Sequence, residues 1–195
     1  MNRCQTISLI LALGLVGCAQ SKDKSDPVQE ESAFTPLEAA GQTQAIEVDA
    51  TSRTDWVGFD FDSATFIAAA DLSANSSWDL AFKRTSIKMN GANVKMQVIT
   101  KDFAAIDVAP KEGYEIDQPS TDPAAVETTG LAFHKDPAWY AYDINTHVVS
   151  SRGLVYGIET NEGRHFKLKI LDYYNAARLP AYLNFEFQEL KEVEP

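Results

Sequence analysis

The sequence predicts a mainly β domain, an antiparallel sheet or sandwich with very little helix. Two observations carry this. Short runs of alternating apolar and polar residues recur from residue 45 to residue 190, and a period of two is the signature of a strand with one buried face. Glycine-bearing turns, Asn90-Gly91 and Asn161-Glu162-Gly163, separate several of these runs and suit strands that double back on their neighbours.

The elements follow in order. AIEVDA, residues 45–50, alternates Ile46 and Val48. In WVGFDFD, residues 56–62, Val57, Phe59 and Phe61 share one face and Trp56, Gly58 and Asp60 the other. A short turn or helix is expected around residues 64–70. SWDLAFKR, residues 77–84, sets Trp78, Leu80 and Phe82 against Ser77, Asp79, Ala81 and Lys83. SIKMNGANVKMQVIT, residues 86–100, reads as a hairpin about Asn90-Gly91, with Ile87 and Met89 before the turn and Val94, Met96 and Val98 after it. Residues 117–130, with Pro119 and Pro123, read as a long loop. A second hairpin runs from residue 154 through Asn161-Glu162-Gly163 to a strand whose inner face is Phe166, Leu168 and Ile170. There His165, Lys167 and Lys169 are expected on the solvent side. YYNAARL makes a turn before Pro180, and the last strand faces Leu183, Phe185 and Phe187 one way and Tyr182, Asn184 and Glu186 the other.

The N-terminus describes an address. One positive charge at Arg3, an apolar run from Ile7 to Val16 and the sequence Leu15-Val16-Gly17-Cys18 form a secretory signal too short to span a bilayer. Its end resembles the lipobox of bacterial lipoproteins, which implies cleavage after residue 17, lipidation of Cys18 and, with Ala19 rather than Asp next, an outer-membrane location. Cys4 leaves with the signal and Cys18 carries lipid, so disulfides, thiolate metal sites and cysteine nucleophiles are excluded from the mature chain. Residues 18–43 are polar and carry Pro27 and Pro36, a flexible tether. Residues 44–195 are long enough for one domain with a core of its own. A net charge of −11 argues against nucleic acid, which is bound through clustered Lys and Arg.

DWVGFDF, SSWDLAFKRTSIKMNGAN, WYAYD, LVYGIETNEGRHFKLKILDYYN and YLNFEFQEL, in this order and spacing, resemble the HmuY family over about residues 45–190. The resemblance implies an almost all-β fold, a lipid-anchored or secreted location, haem as ligand and transfer of that haem to a TonB-dependent outer-membrane receptor. Family members hold the iron through pairs of His or pairs of Met. Trp139 and Tyr142 match the pattern around the second His ligand, but the ligand position itself is Ile144, and residues 117–130 hold neither His nor Met.

The residues themselves offer other donors, since haem iron takes His, Met, Cys or Tyr. His134, at a loop edge, and His147, in or beside a strand, are the candidate metal ligands. Tyr140 and Tyr142 share a strand face and are the candidate haem contacts, with packing of the β core as their alternative role. Met89 and Met96 read first as packing residues. Lys83, Arg84 and Lys88 could pair with propionates or form a solvated face. No catalytic motif is present, so the chain reads as a binding protein and not an enzyme. Two alternatives stay open: a surface lipoprotein of the same fold that binds another ligand or serves a receptor as accessory subunit, and, more remotely, a hydrolase of surface polymers.

Overall fold

The computed structural model describes residues 41–192. The expected signal segment, the expected lipidation site Cys18 and nearly all of the expected tether lie outside the described residues. Among the described residues there are eleven strands: β1 (Gln44–Asp49), β2 (Val57–Asp60), β3 (Thr65–Ile67), β4 (Leu80–Lys83), β5 (Ser86–Met89), β6 (Lys95–Ile99), β7 (Tyr140–Tyr142), β8 (Val149–Ser151), β9 (Val155–Glu159), β10 (His165–Tyr174) and β11 (Pro180–Glu189). They form a five-stranded sheet in the order β1-β11-β10-β9-β6, a four-stranded sheet in the order β3-β2-β4-β5, and a separate ribbon of β7 and β8. Neighbouring strands within the sheets and the ribbon are antiparallel. The expected β class and near absence of helix hold; two short 3-10 turns, Phe103–Ala105 and Ala132–His134, are the helical elements among the described residues.

The two sheets meet through phenylalanines. Phe59 from β2 and Phe61 just after it lie against Phe185 and Phe187 from β11, with Phe59 to Phe185 at 5.5 Å and Phe61 to Phe187 at 5.2 Å, both edge to face. Phe82 from β4 stacks on Phe185 at 5.7 Å. Each of these rings is buried. The alternation of Phe59 with Phe61, and of Leu183, Phe185 and Phe187, therefore builds the core as the sequence predicts, and edge-to-face pairs add to the burial.

Four expectations are corrected. The Asn90-Gly91 turn is not a hairpin: β5 pairs with β4, whereas β6 pairs with β9 in the other sheet. Asn90 Nδ2 donates to the Ser76 and Trp78 carbonyls at 3.0 and 2.7 Å, so the turn carries the chain from one sheet to the other. The true hairpin joins β4 to β5 through Arg84, at φ 53°, and Thr85. Residues 64–70, expected as a short turn or helix, have turns at either end but strand β3 between them, because Phe66 and Ile67 pair with Phe59 and Gly58. Trp78 packs with Ala81 and Ile67 on the outer side of the small sheet, not with Leu80 and Phe82. Lys167 is buried (1% exposed) in place of facing solvent. Its ammonium donates to the carbonyls of Phe103 and Ile106 at 2.8 and 2.7 Å, which holds the segment that covers the outer face of β10.

Residues 117–130 form the expected loop, closed on itself where Gln118 N–H donates to Gly130 O at 2.8 Å and Ser120 N–H to Thr129 O at 3.1 Å. Gly130 sits at φ +85°, and a Cβ there would meet Gln118 O at 1.8 Å, so only glycine closes the loop.

Phe185 touches both sheets, so Phe185→Ala is expected to cost about 3–5 kcal/mol in chemical denaturation. Phe66→Ala, at a ring that is 49% exposed, should cost far less. Equal losses in the two variants would show that the sheets do not close on Phe185.

Candidate functional site

The segment Trp139 to Ser151 folds as a ribbon with an anchored base and a projecting tip. At the base, Trp139 is 1% exposed and its indole N–H donates to Thr85 O at 2.9 Å. Val149 N–H donates to the Tyr174 hydroxyl at 3.1 Å, and Ser151 Oγ–H to Ile170 O at 2.5 Å. At the tip the sequence DINT makes its own turn: Asp143 Oδ1 accepts the N–H groups of Asn145 and Thr146 at 2.8 and 3.3 Å. This is the local bonding that favours Asp in turns. His147 closes the loop at φ 58°, donating its N–H to Asp143 O at 2.8 Å.

That backbone brings the imidazole beside β7. His147 Nδ1 and the Tyr142 hydroxyl are 2.5 Å apart, and the ring centroids 6.0 Å. Both residues are exposed, Tyr142 at 50%. Ile144, 70% exposed, and Val148, 38%, flank them. Tyr142 thus does not pack the core, in contrast to its alternative role, and His147 lies in the ribbon's turn.

Tyr140 and Tyr142 are two residues apart on one strand and so project to the same side about 7 Å apart. Tyr140 is half-buried, packed edge to face on Trp139 at 4.9 Å and lying 6.2 Å from the His134 ring. His134 is half-buried in a 3-10 turn, and its Nε2 accepts the Ile87 N–H at 3.2 Å. Burial lowers its pKa from 6.5 to about 4, consistent with a neutral ring serving as acceptor. The structure therefore sorts the four candidate residues into two pairs along one strand: His134 with Tyr140 at the base, and His147 with Tyr142 at the tip.

The remaining candidates are occupied in the fold. Met89 and Met96 are core residues, 4% and 0% exposed. Lys83 and Lys88 lie over the Trp56 ring at 4.7 and 4.4 Å, and Lys83 also meets Glu127 at 2.5 Å. Arg84 Nη1 reaches the Thr51 carbonyl at 3.5 Å. His165 is half-buried beside the Tyr114 hydroxyl, 3.2 Å from its Nδ1.

Sequence reasoning missed the role of Asp117. One of its oxygens accepts Met89 N–H and the other Ala132 N–H, each at 2.7 Å. With His134 on Ile87, it fills the free edge of β5. An acid at the start of a long loop was the signal available.

A β protein of two facing sheets that presents an imidazole and a phenol on a projecting ribbon is the class the geometry defines. The family model described as HmuY protein matches residues 52–187, and the chain belongs to the HmuY family. No curated protein matches it. Among solved structures it is similar to a protein from Bacteroides fragilis described as a lipoprotein, with 20% identity, a TM-score of 0.61 and coverage of 82% of this chain and 95% of that one. It is also similar to a protein from Bacteroides vulgatus described as HmuY-like and heme-binding, with 16% identity, a TM-score of 0.60 and coverage of 80% and 96%. The apo HmuY analog of Tannerella forsythia matches with 15% identity, a TM-score of 0.58 and coverage of 78% and 99%.

The depressed His134 pKa has a stability consequence. The folded ring resists protonation until about pH 4, whereas the unfolded ring takes a proton near pH 6.5. Between these values the unfolded state binds more protons, so this contribution is full above 6.5 and is lost as pH falls toward 4. Wild type should therefore lose unfolding free energy relative to His134→Gln across that window. Parallel pH profiles in denaturant unfolding would contradict it.

Proposed function

We propose that the protein captures haem at the tip of the β7–β8 ribbon. In this reading it is a lipoprotein anchored in the outer membrane through Cys18, and it passes its haem to a TonB-dependent receptor. The observation that carries the reading is the Tyr142–His147 pair, exposed at the tip between Ile144 and Val148. A phenol oxygen and an imidazole nitrogen both belong to the donor set haem iron takes, and exposed apolar side chains suit the porphyrin face. The HmuY family and the heme-binding description of the similar Bacteroides vulgatus protein support the same ligand.

Within the pair the two groups take different parts. The Tyr142 oxygen is the iron donor, and His147 Nδ1, already within hydrogen-bond distance, accepts the phenol proton. Ile144, at the family's ligand position, contributes apolar surface. Tyr140 and His134 steady the ribbon from its base, since His134 Nε2 is already filled by Ile87 N–H. A ligand held on an exposed tip also remains within reach of a receptor.

Haemin titration followed by visible absorption tests this. Wild type should give a saturable Soret band at one haem per chain. Tyr142→Phe and His147→Ala should each weaken binding by about tenfold or more, because the iron loses its donor or the donor loses its proton acceptor. Saturable binding unchanged in both variants would move the site off the ribbon. A non-saturating, featureless spectrum in wild type would favour a protein of this family that serves another ligand or a receptor.

A further inference from the structure

At the opposite end of the small sheet's second strand lies a cluster of acids that the haem reading does not use. Asp60, Asp62 and Asp79 each bring a carboxylate oxygen within 4.8 Å of the other two. Asp60 and Asp62 flank the core residue Phe61, and Asp79 stands just before β4. All three are withdrawn from water: Asp60 is 5% exposed, Asp79 0%, and the Asp62 side chain 5%.

Their acceptor capacity is only partly filled. A carboxylate oxygen accepts two hydrogen bonds. Asp60 Oδ1 accepts the N–H groups of Asp62 and Ser63 at 2.9 and 3.2 Å, but Oδ2 accepts only the Ser63 hydroxyl at 2.8 Å. Asp79 Oδ1 accepts Asn161 N–H and Nδ2–H at 2.9 and 3.0 Å, whereas Oδ2 accepts only Phe61 N–H at 2.9 Å. Asp62 Oδ1 meets Arg164 Nη1 at 3.3 Å, and Asp62 Oδ2 is buried with no hydrogen-bond partner. Each of the three groups thus keeps an oxygen with unused lone pairs.

The charge is unbalanced as well. Arg164 is the cation that reaches the cluster, and it is shared with Glu189 at 2.7 Å. Burial raises the pKa of Asp79 to about 7, with Asp62 and Asp60 adding to the rise. Buried carboxylates without countercharge are costly and are ordinarily relieved by a proton or a cation.

We propose that Asp60, Asp62 and Asp79 form a binding site for a hard divalent cation of the calcium class. An all-oxygen donor set selects Ca²⁺ or Mg²⁺ over the softer transition metals. The tolerance of Ca²⁺ for irregular geometry, with water completing its shell, suits three carboxylates that already hold backbone groups. Two positive charges offset most of the negative charge that Arg164, shared with Glu189, leaves on the cluster. The ion joins the end of β2 to the start of β4 and, through Asn161, to the β9–β10 turn of the larger sheet. The site is structural and independent of haem capture.

Calcium chloride titrated into chelator-treated protein is the test. The thermal midpoint should rise by several degrees and saturate with calcium, as binding to the folded state alone requires, and calorimetry should count one ion per chain. Asp62→Asn leaves every backbone hydrogen bond to Asp60 and Asp79 in place, so it should fold and lose both responses. A wild-type midpoint that does not move with calcium or magnesium would overturn the site. So would a calcium response retained in full by Asp62→Asn.

Discussion

The fold depends on one buried carboxylate. Asp79 accepts Phe61 N–H from the end of β2 and the main-chain and side-chain amides of Asn161 from the β9–β10 turn. Its own N–H donates to Phe59 O, and its carbonyl accepts Asn90 N–H, both at 2.9 Å. Two other segments of the small sheet, the end of β2 and the turn after β5, and one turn of the large sheet therefore converge on a residue with no exposure to solvent. Leaving a buried donor or acceptor without its partner is costly, so these bonds are expensive to break. The phenylalanine layer supplies the driving force for closing the sheets, and Asp79 sets which way round they close.

Closure leaves little of either sheet open. The outer face of the large sheet is covered by the segment that Lys167 holds, with Phe103 and Ile106 packed on Val155. The outer face of the small sheet is covered by Trp56, Trp78 and Leu72. Leu72 lies so close that a Cβ on Gly58 would meet its Cδ2 at 2.5 Å. With both outer faces occupied, a ligand-binding group is best placed on a segment that leaves the sheets. The β7–β8 ribbon is such a segment. Its base is tied to both sheets, through Thr85 and through Tyr174 and Ile170, so the exposed tip rides on a fixed stem.

Much of the fold was legible because period two survives wherever one face is buried. Phe59 and Phe61, Phe166, Leu168 and Ile170, and Leu183, Phe185 and Phe187 all lie where their alternation puts them. What was not legible depends on partners distant in the chain. Asn-Gly marks a turn but not the sheet its second arm joins, and here Asn90 is held by Ser76 and Trp78. The Arg84 turn carries no glycine; its N–H is instead fixed by Ala50 O at 2.7 Å. Lys167 looked solvated because alternation cannot reveal a cover on the second face. At the candidate site, the residue types and their shared strand face were readable. The pairing of Tyr142 with His147 was not, because it needs the Asp143 turn to bring position 147 back beside position 142. Alternation sets Asp60 and Asp79 on the faces opposite Phe59 and Leu80, and only the β2–β4 pairing shows them buried together.

The side chains along β5 bear on how copies of the protein behave toward one another. An unpaired strand edge is a template for adding a strand from a neighbouring molecule. Here Ile87 and Met89, the alternate donors of that edge, are already engaged by His134 and Asp117. An imidazole and a carboxylate imitate the next strand without being one, so the small sheet ends at β5. Filament growth along this edge is blocked by two side chains, and molecules crowded together can remain separate.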